Sequence, residues 1–335
     1  MKPRHPTMKD IARETGLGLA TISKYINGGS VRPANRERLD RAVAELGYRR
    51  NESARALKTS RTYTVGVVIP ELASRFCTAI VSDVEDILRR SGYAVIVCDC
   101  RTDERLERQS VDFLLSRDVD GILCLPVAED GASLVPAVRT GMPVVLFDRP
   151  VTLAGCSAVL IDNRAAAAEA ADHLIARGHR RIGLLCGDRY YSHRERRIGF
   201  RAALASAGIP ADPELECVSP ATPDGGYAGM RQLLSSSPDM TAVFTTNFGL
   251  TIGAYLALRD EGLLIPRDLS IVGFDNMDMA RVLSPQLTAI AQPMGDMAAS
   301  AAELLLDALE RGRTEPRTVI LKAKLFQGDS VAVLR

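Results

Sequence analysis

The first residues of the chain show apolar positions at helical spacing, interrupted by glycine. Met8, Ile11 and Ala12 form one apolar face of a predicted helix that ends at Gly16. A second helix with its own apolar face is predicted over residues 20–26. The residues left outward are Leu19, Ala20, Thr21, Ser23 and Lys24. Such a pair is typical of a helix-turn-helix that enters the DNA major groove, although an ordinary helical hairpin shows the same pattern.

Two further segments and a charge asymmetry favour the DNA-binding interpretation. A third helix is predicted over residues 34–46, between Pro33 and Gly47. A short helical segment at 51–58 precedes a polar linker, and eight residues do not hold a helix alone in water. Residues 1–61 carry 14 Lys and Arg against 6 Asp and Glu, a net charge of +8, so the other 274 residues carry −7. A basic module on an acidic body is expected to bind the phosphates of DNA.

From about residue 63 the pattern changes to short apolar runs that alternate with amphipathic helical stretches. The predicted strands are 64–69, 94–98, 121–125, 144–147, 158–161, 182–186, 242–245 and 270–274. The predicted helices are 79–91, 106–116, 165–177, 195–207, 226–235 and 250–261. Strands buried on both faces and separated by helices indicate an α/β fold with doubly wound parallel sheets, and the length fits two lobes.

Polar residues follow several of the predicted strands, where open α/β sheets bind their ligands. These candidates are Asp148, Arg149, Asp162, Asn163, Asn247 and Asp275. Carboxylates, amides and guanidinium groups that converge between two lobes would bind a polyhydroxylated ligand, but each of them could instead cap a helix or form an internal ion pair. Because the chain has no Trp, a sugar ring would stack on Phe76, Tyr190 or Tyr191, although Tyr190 could equally be a loop residue.

Composition and motifs exclude several other classes of protein. None of the seven cysteines has zinc-finger or Cys-x-x-Cys spacing, so we expect buried free thiols in a reducing cytoplasm. There is no apolar run of about 18 residues and no signal-peptide segment, so no membrane contact is expected. The four His lack metal-ligand spacing, and the phosphate-binding loops and nucleophile elbows of enzymes are absent. We therefore expect no metal, no cofactor and no enzymatic activity.

Specific motifs lie at residues 7–12, 20–24, 27–28, 45–48, 51 and 54–57. Through them the chain resembles the lactose-repressor family of bacterial transcription regulators. The resemblance implies that Leu19, Ala20 and Lys24 read DNA bases and that Leu57 wedges into the minor groove at the operator centre. The other residues that it marks as DNA-binding candidates are Thr7, Thr21, Ser23, Asn27, Tyr48, Asn51, Ala54 and Lys58. Lys24 stands where most members have Arg, which argues against bidentate reading of guanine, and Arg50 replaces the usual Pro.

The resemblance also implies a domain organisation and a mechanism. A helix-turn-helix headpiece (1–50) and a hinge helix with its linker (51–62) would precede a two-lobed body like that of periplasmic binding proteins. The N-terminal lobe would comprise 63–162 and 291–320, and the C-terminal lobe 163–290 and 321–335. A homodimer would bind a pseudo-palindromic operator, and a small effector between the lobes would change their closure. A transport-type sugar-binding protein, the main alternative, shares the two lobes but would lack a basic headpiece.

Departures from the family pattern bear on the effector and on the dimer. Asn247-Phe248 replaces the common Asn-Asp, and Ser74-Arg75-Phe76-Cys77 replaces Asn-Pro-Phe-Phe. A lost anion and an added cation favour an acidic effector, such as a sugar acid, over a neutral sugar. The residues added to the effector-binding candidates are Arg75, Phe76, Cys77 and Arg196, the last at the position of the family's ligand-contacting arginine. An apolar stripe at Ile80, Val84 and Ile87 would belong either to the dimer surface or to the core.

Overall fold

The described part of the N-terminal unit, which extends to Thr62, contains three short helices. A computed structural model describes residues 6–26, 28–48, 61–275, 277–312 and 315–334. The helices are α1 (Met8–Thr15), α2 (Leu19–Ile26) and α3 (Pro33–Leu46). The positions Asn27, Arg50, Asn51, Ala54, Leu57 and Lys58 lie outside the described residues, and so does the predicted hinge helix.

The three helices pack around a small apolar core. Ile11, Ile22 and Leu39 have no exposed surface, and each comes from a different helix. Gly16 ends α1 in the left-handed region at φ 63°, a conformation that costs glycine little, and the chain then turns sharply into α2. Burial of Ile22 fixes the rotation of α2, so its outward face is set by the core rather than by the helix itself.

The second unit, from Tyr63 onward and here called the body, begins with a parallel α/β lobe. Its first elements are β1 (Thr64–Ile69), α4 (Arg75–Arg90), β2 (Ala94–Asp99), α5 (Glu104–Ser116), β3 (Gly121–Cys124), α6 (Val135–Arg139), β4 (Val144–Phe147) and β5 (Ser157–Ile161), with a 3₁₀ turn at Ala132–Leu134. These five strands and β11 (Thr318–Leu321) form one sheet in the order β11-β5-β4-β3-β1-β2, and every neighbouring pair is parallel.

The second lobe repeats this plan. Its elements are α7 (Asn163–Ala176), β6 (Ile182–Gly187), α8 (Tyr191–Ser206), β7 (Glu216–Ser219), α9 (Pro223–Ser236), β8 (Ala242–Thr245), α10 (Phe248–Asp260), β9 (Ser270–Phe274), α11 (Met277–Val282) and β10 (Thr288–Ala291), with a 3₁₀ turn at Pro213–Leu215. The sheet order is β12-β10-β9-β8-β6-β7, in which only the edge strand β12 (Lys324–Phe326) runs antiparallel. The predicted two-lobed fold with parallel sheets is thus confirmed.

The chain crosses between the lobes three times. It passes from β5 to α7, from β10 to α12 (Met294–Arg311), and from β11 to β12. Helix α12 packs against α4 and against strands of the first sheet, so it belongs to the first lobe although it follows the second in sequence. The crossings bring the carboxyl ends of both sheets to one cleft, which is where open α/β sheets bind ligands.

Several elements differ from the sequence-based predictions. Strands β7, β10, β11 and β12 and helices α6, α11 and α12 were not predicted. Ile80 and Val84 are buried in the core of the first lobe and are therefore not dimer-surface residues, while Ile87 is half-buried. Within the described ranges, no helix combines the length and hydropathy needed to cross a membrane.

Candidate DNA-binding face and effector cleft

Helix α2 presents small and basic side chains on the face opposite its buried Ile22. Leu19 is 47% exposed, Ala20 and Lys24 are also exposed, and Thr21 and Ser23 are half-buried. Neither the exposed Leu19 nor the exposed Lys24 packs into the core. Both suit DNA binding, because a leucine can make apolar contact with a base and a lysine can contact a phosphate or a base. The sequence predicted all five to face outward, which holds fully for Leu19, Ala20 and Lys24 and in part for Thr21 and Ser23.

Two other predicted DNA-binding residues have structural surroundings of their own. Thr7 precedes α1, and its backbone N–H and its hydroxyl both donate to an Asp10 oxygen, each at 2.8 Å. This arrangement caps the first turn of the helix. Tyr48, just after the αL glycine that ends α3, is half-buried against the three-helix core. Both residues therefore help to fix the end of a helix.

In the body, an aspartate occupies the same place in each lobe. Asp148 follows β4 and Asp275 follows β9, and both adopt left-handed backbone angles, with φ of 64° and 67°. Each backbone N–H donates to a carbonyl of the neighbouring strand, at Val159 and at Ile290. Aspartate tolerates this region better than most residues, and such conformations cluster at binding sites. The two buried carboxyl groups thus lie at the cleft from opposite sides.

Arg196 on α8 supplies a buried positive charge between these aspartates. Its side chain is held on three sides: Nε donates to Asn163 Oδ1 at 2.8 Å, Nη1 donates to the Thr246 carbonyl at 2.6 Å, and the guanidinium lies 3.5 Å from the Phe274 ring centre. Burial lowers the pKa of Arg196, and the nearby Asp275 and Asp148 act in the opposite direction. An arginine remains charged under these conditions, so the cleft holds a fixed cation.

Asp275 is the most strongly perturbed carboxyl group of the cleft. Burial raises its pKa from 3.8 to about 6, and the opposing effects of Arg196 and of the Gln292 hydrogen bonds only partly offset this rise. Gln292 Nε2 donates to both carboxylate oxygens, at 2.9 and 2.8 Å. Such a shift by burial beside a charged partner marks a candidate functional group.

Arg149 extends across the cleft from the first lobe to the second. Its guanidinium lies 3.4 Å from the ring centre of Tyr190, and its Nη1 donates to the Pro126 carbonyl at 3.1 Å. Arg149 Nε also lies 3.4 Å from Asp148 Oδ2, as an ion pair. Within the described residues, the buried Tyr190 hydroxyl has no hydrogen-bond partner. A buried hydroxyl without a partner is rare in folded proteins, and this one can bond to a ligand in the cleft.

The remaining predicted effector residues already have intramolecular roles. Asp162 caps α7 by accepting from the Ala165 N–H, and Asn247 caps α10 by accepting from the Leu250 N–H. Phe76 packs against the core beside the buried Cys77, whose pKa burial raises to about 11. Arg75 forms an exposed ion pair with Asp278 of the second lobe at 2.8 Å. Arg75 therefore does not add the uncompensated cation on which the acidic-effector hypothesis relied.

Other cleft residues were missed by sequence reasoning. His193 is buried, with Nδ1 3.2 Å from the Thr246 hydroxyl, and burial holds its pKa well below the ordinary value, so the ring is neutral. Gln292 was missed because the short strand before it was missed. At the rim, Glu129 of the first lobe binds both Nη atoms of Arg194, each at 2.9 Å, and accepts from the Tyr191 N–H. No local motif marks this bidentate pair, which depends on the closure of the two lobes.

Comparison with known sequences finds two family models that match the chain. Residues 7–51 match the bacterial regulatory proteins of the lacI family, and residues 171–331 match the periplasmic binding protein-like domain. The first match covers the three helices of the N-terminal unit. The second covers most of the second lobe and the return through α12, β11 and β12.

Full-length relatives and solved structures share the whole architecture. The HTH-type transcriptional regulator CelR of Thermobifida fusca is 35% identical over 98% of this chain and 98% of its own length. A transcriptional regulator CelR–cellobiose complex is 33% identical with a TM-score of 0.74, covering 97% of this chain and 99% of that one. The lac repressor dimer bound to operator and the anti-inducer ONPF is 25% identical with a TM-score of 0.85, covering 98% and 100%.

Proposed function

The chain belongs to the lacI family of bacterial regulatory proteins, and we propose that its DNA affinity is controlled by a sugar bound between the two lobes of the body. It is a DNA-binding transcriptional regulator rather than an enzyme. A transport-type sugar-binding protein would share the lobes but not the match at residues 7–51. We further propose that it acts as a repressor of carbohydrate-metabolism genes, in the cytoplasm, where the chromosome lies.

One observation carries the effector site: a buried set of opposite charges at the carboxyl ends of both sheets. Asp148, Asp275 and Arg196 are each less than 10% exposed, and they approach from the two lobes. Burying an unpaired charge costs several kcal/mol per ion, as an order of magnitude. A buried cluster of charges at a cleft therefore indicates a functional site. The chain joins this cluster to a helical unit whose α2 exposes Leu19, Ala20 and Lys24.

The charge balance of the cleft supports a neutral sugar over a sugar acid. Two carboxyl groups, Asp148 and Asp275, face two guanidinium groups, Arg149 and Arg196. An anionic ligand would be repelled by both aspartates. The hydroxyl groups of a neutral sugar can donate to the carboxylates and accept from the guanidinium N–H groups. The sugar named in the related complex, cellobiose, is likewise uncharged.

For DNA recognition we propose a homodimer that places two N-terminal units on the half-sites of a pseudo-palindromic operator. The related lac repressor structure is a dimer bound to operator. The exposed face of α2 supports Leu19, Ala20 and Lys24 as base-reading residues, with Thr21 and Ser23 beside them. Effector binding would favour one degree of lobe closure and so change the affinity for operator.

The test is a fluorescence-anisotropy titration of the full chain on its own upstream DNA and on a scrambled duplex at constant salt. We expect preference for the upstream DNA, altered by a pool of neutral sugars. Lys24→Ala should remove the preference, and Lys9→Ala, an exposed lysine on α1, is the matched control. Absence of any preference would contradict operator binding near the gene.

A second arm separates the effector classes. Thermal melting of the full chain is followed with pooled neutral sugars and, separately, with the corresponding sugar acids. Neutral sugars should raise the melting temperature because a ligand that binds only the folded protein stabilises it. A rise with the acids alone would overturn the neutral-sugar proposal while leaving the effector site in place.

A further inference from the structure

Two of the three crossings between the lobes carry a buried amide side chain. Asn163 stands at the first crossing, where β5 leads into α7, and Gln292 stands at the second, between β10 and α12. The third crossing, from β11 to β12, consists of the exposed Lys322 and the half-buried Ala323. Closure of two lobes rotates the chain at such crossings, because only there does the backbone join the two bodies.

Each of the two amides holds one charged residue of the cleft, and the two charges are opposite. Asn163 Oδ1 accepts from Arg196 Nε at 2.8 Å, and Gln292 Nε2 donates to both oxygens of Asp275, at 2.9 and 2.8 Å. Hydrogen bonds to ionised groups are about twice as strong as neutral ones. The crossings are therefore attached to the cleft charges by strong, buried contacts.

Gln292 also has an unused acceptor at the cleft. Its Oε1 is buried and has no hydrogen-bond partner among the described residues. A ligand that enters the cleft beside Asp275 could donate a hydrogen bond to this oxygen. Ligand binding would then change the contacts of Gln292, and with them the second crossing.

We propose that Asn163 and Gln292 are positioning residues that link the cleft charges Arg196 and Asp275 to the lobe crossings. Since the effector site is itself part of the proposed function, the link is the route by which an effector would bias lobe closure. A ligand that engages Arg196 or Asp275 changes the hydrogen bonds that these amides make, and the backbone at residues 162–163 and 292–293 responds. The third crossing has no such side-chain link to Arg196 or Asp275, so it moves only as a consequence of lobe closure.

The test is hydrogen–deuterium exchange of the full chain between pH 5 and pH 7.5, corrected for intrinsic rates. It needs neither DNA nor sugar, because protonation of Asp275 serves as the perturbation. Arg196 and Asp148 are the charged groups that face Asp275, and Gln292 does not titrate. Protonation weakens the bonds from Gln292, so protection of residues 291–296 should fall about fivefold toward pH 5.

Global stability also changes over this pH range, so the fall needs a reference. The raised pKa of Asp275 adds stability at pH 5, whereas burial lowers the pKa of His173, His179 and His193 and so removes stability there. Urea unfolding at the same pH values measures this common change, and the fall at residues 291–296 should exceed it. Gln292→Leu and Asp275→Asn should each abolish the fall at 291–296, whereas Gln286→Leu, the same change at an exposed glutamine, should keep it. Residues 321–324 should show no fall beyond the change in global stability in any variant.

Either of two results would overturn the link. One is a Gln292→Leu profile that matches the parent, and the other is an equal fall at residues 321–324. Gln292→Glu keeps the side-chain length if the leucine variant does not fold, and it should likewise alter the profile. Loss of operator binding in the anisotropy titration would leave this result unaffected, so the two proposals fail separately.

Discussion

Replacing Asp275 by Asn should stabilise the protein while impairing its response to effector. In the folded chain Asp275 is 9% exposed, and ionising it there costs more than ionising it in water. Asn keeps the shape and removes the charge. Its amide oxygen can still accept from Gln292 Nε2, which donates to both oxygens of Asp275.

The size of the effect follows from the pKa of Asp275. Burial raises it from 3.8 to about 6, so the folded protein binds this proton more tightly than the unfolded chain. The contribution to stability is therefore complete below about pH 4 and is lost as the pH rises through about 6. A shift of about two pKa units means that the buried charge lowers the unfolding free energy by about 3 kcal/mol at pH 7.5. About half of this cost remains at pH 5. Asp275→Asn should raise the unfolding free energy by up to this amount.

The assay is urea unfolding of the full chain at pH 5 and at pH 7.5. The advantage of Asp275→Asn over the parent should grow by about 1 kcal/mol between the two pH values. Asp278→Asn is the control, because its ion pair with Arg75 is exposed and should contribute below about 1 kcal/mol. An advantage that stays constant with pH, or a variant less stable than the parent at pH 7.5, would refute the buried-carboxylate reasoning.

Three other changes test the remaining parts of the molecule. Ile22→Ala opens the core of the N-terminal unit and should destabilise it by about 2–4 kcal/mol, which would abolish operator binding in anisotropy while calorimetry finds the melting of the body unchanged. Leu57→Ala should weaken operator binding without changing ligand binding by the body; equal affinities of variant and parent would remove Leu57 from the mechanism. Glu129→Gln removes the charge that pairs with Arg194 across the rim, so exchange at residues 189–194 should become faster, as expected for loss of about 1 kcal/mol, and unchanged exchange would exclude this pair as a closure contact.

Most helices of the body could be predicted because their apolar period is local. The predicted strand 64–69 agrees with β1 at both ends, and the predicted helix 106–116 matches all but the first two residues of α5. Errors concentrate at the starts of helices, as in α8, which begins at Tyr191 rather than at 195. The first turn of a helix makes few internal hydrogen bonds, so its sequence carries a weaker signal.

Three of the four missed strands have a common cause. Strands β7, β11 and β12 lie at sheet edges, have only three or four residues and keep one side partly exposed, so they lack a continuous apolar run. They exist because a neighbouring strand offers its backbone groups. That partner is distant in sequence: β11 pairs with β5, from Thr318 opposite Ala158.

The sequence by itself determined the three N-terminal helices, the alternating α/β body, the family, and the residue types that follow each strand. These features depend on apolar periods and short motifs, which are written in consecutive residues. Only the tertiary structure decided which strand-end residues meet: Asp148 and Asp275 flank Arg196, whereas Asp162 and Asn247 cap helices. It also paired Arg75 with Asp278 and attached Gln292 to Asp275. The reason is physical, since a buried charge takes its partners from whichever chain segments the crossings bring together, and no local pattern records them.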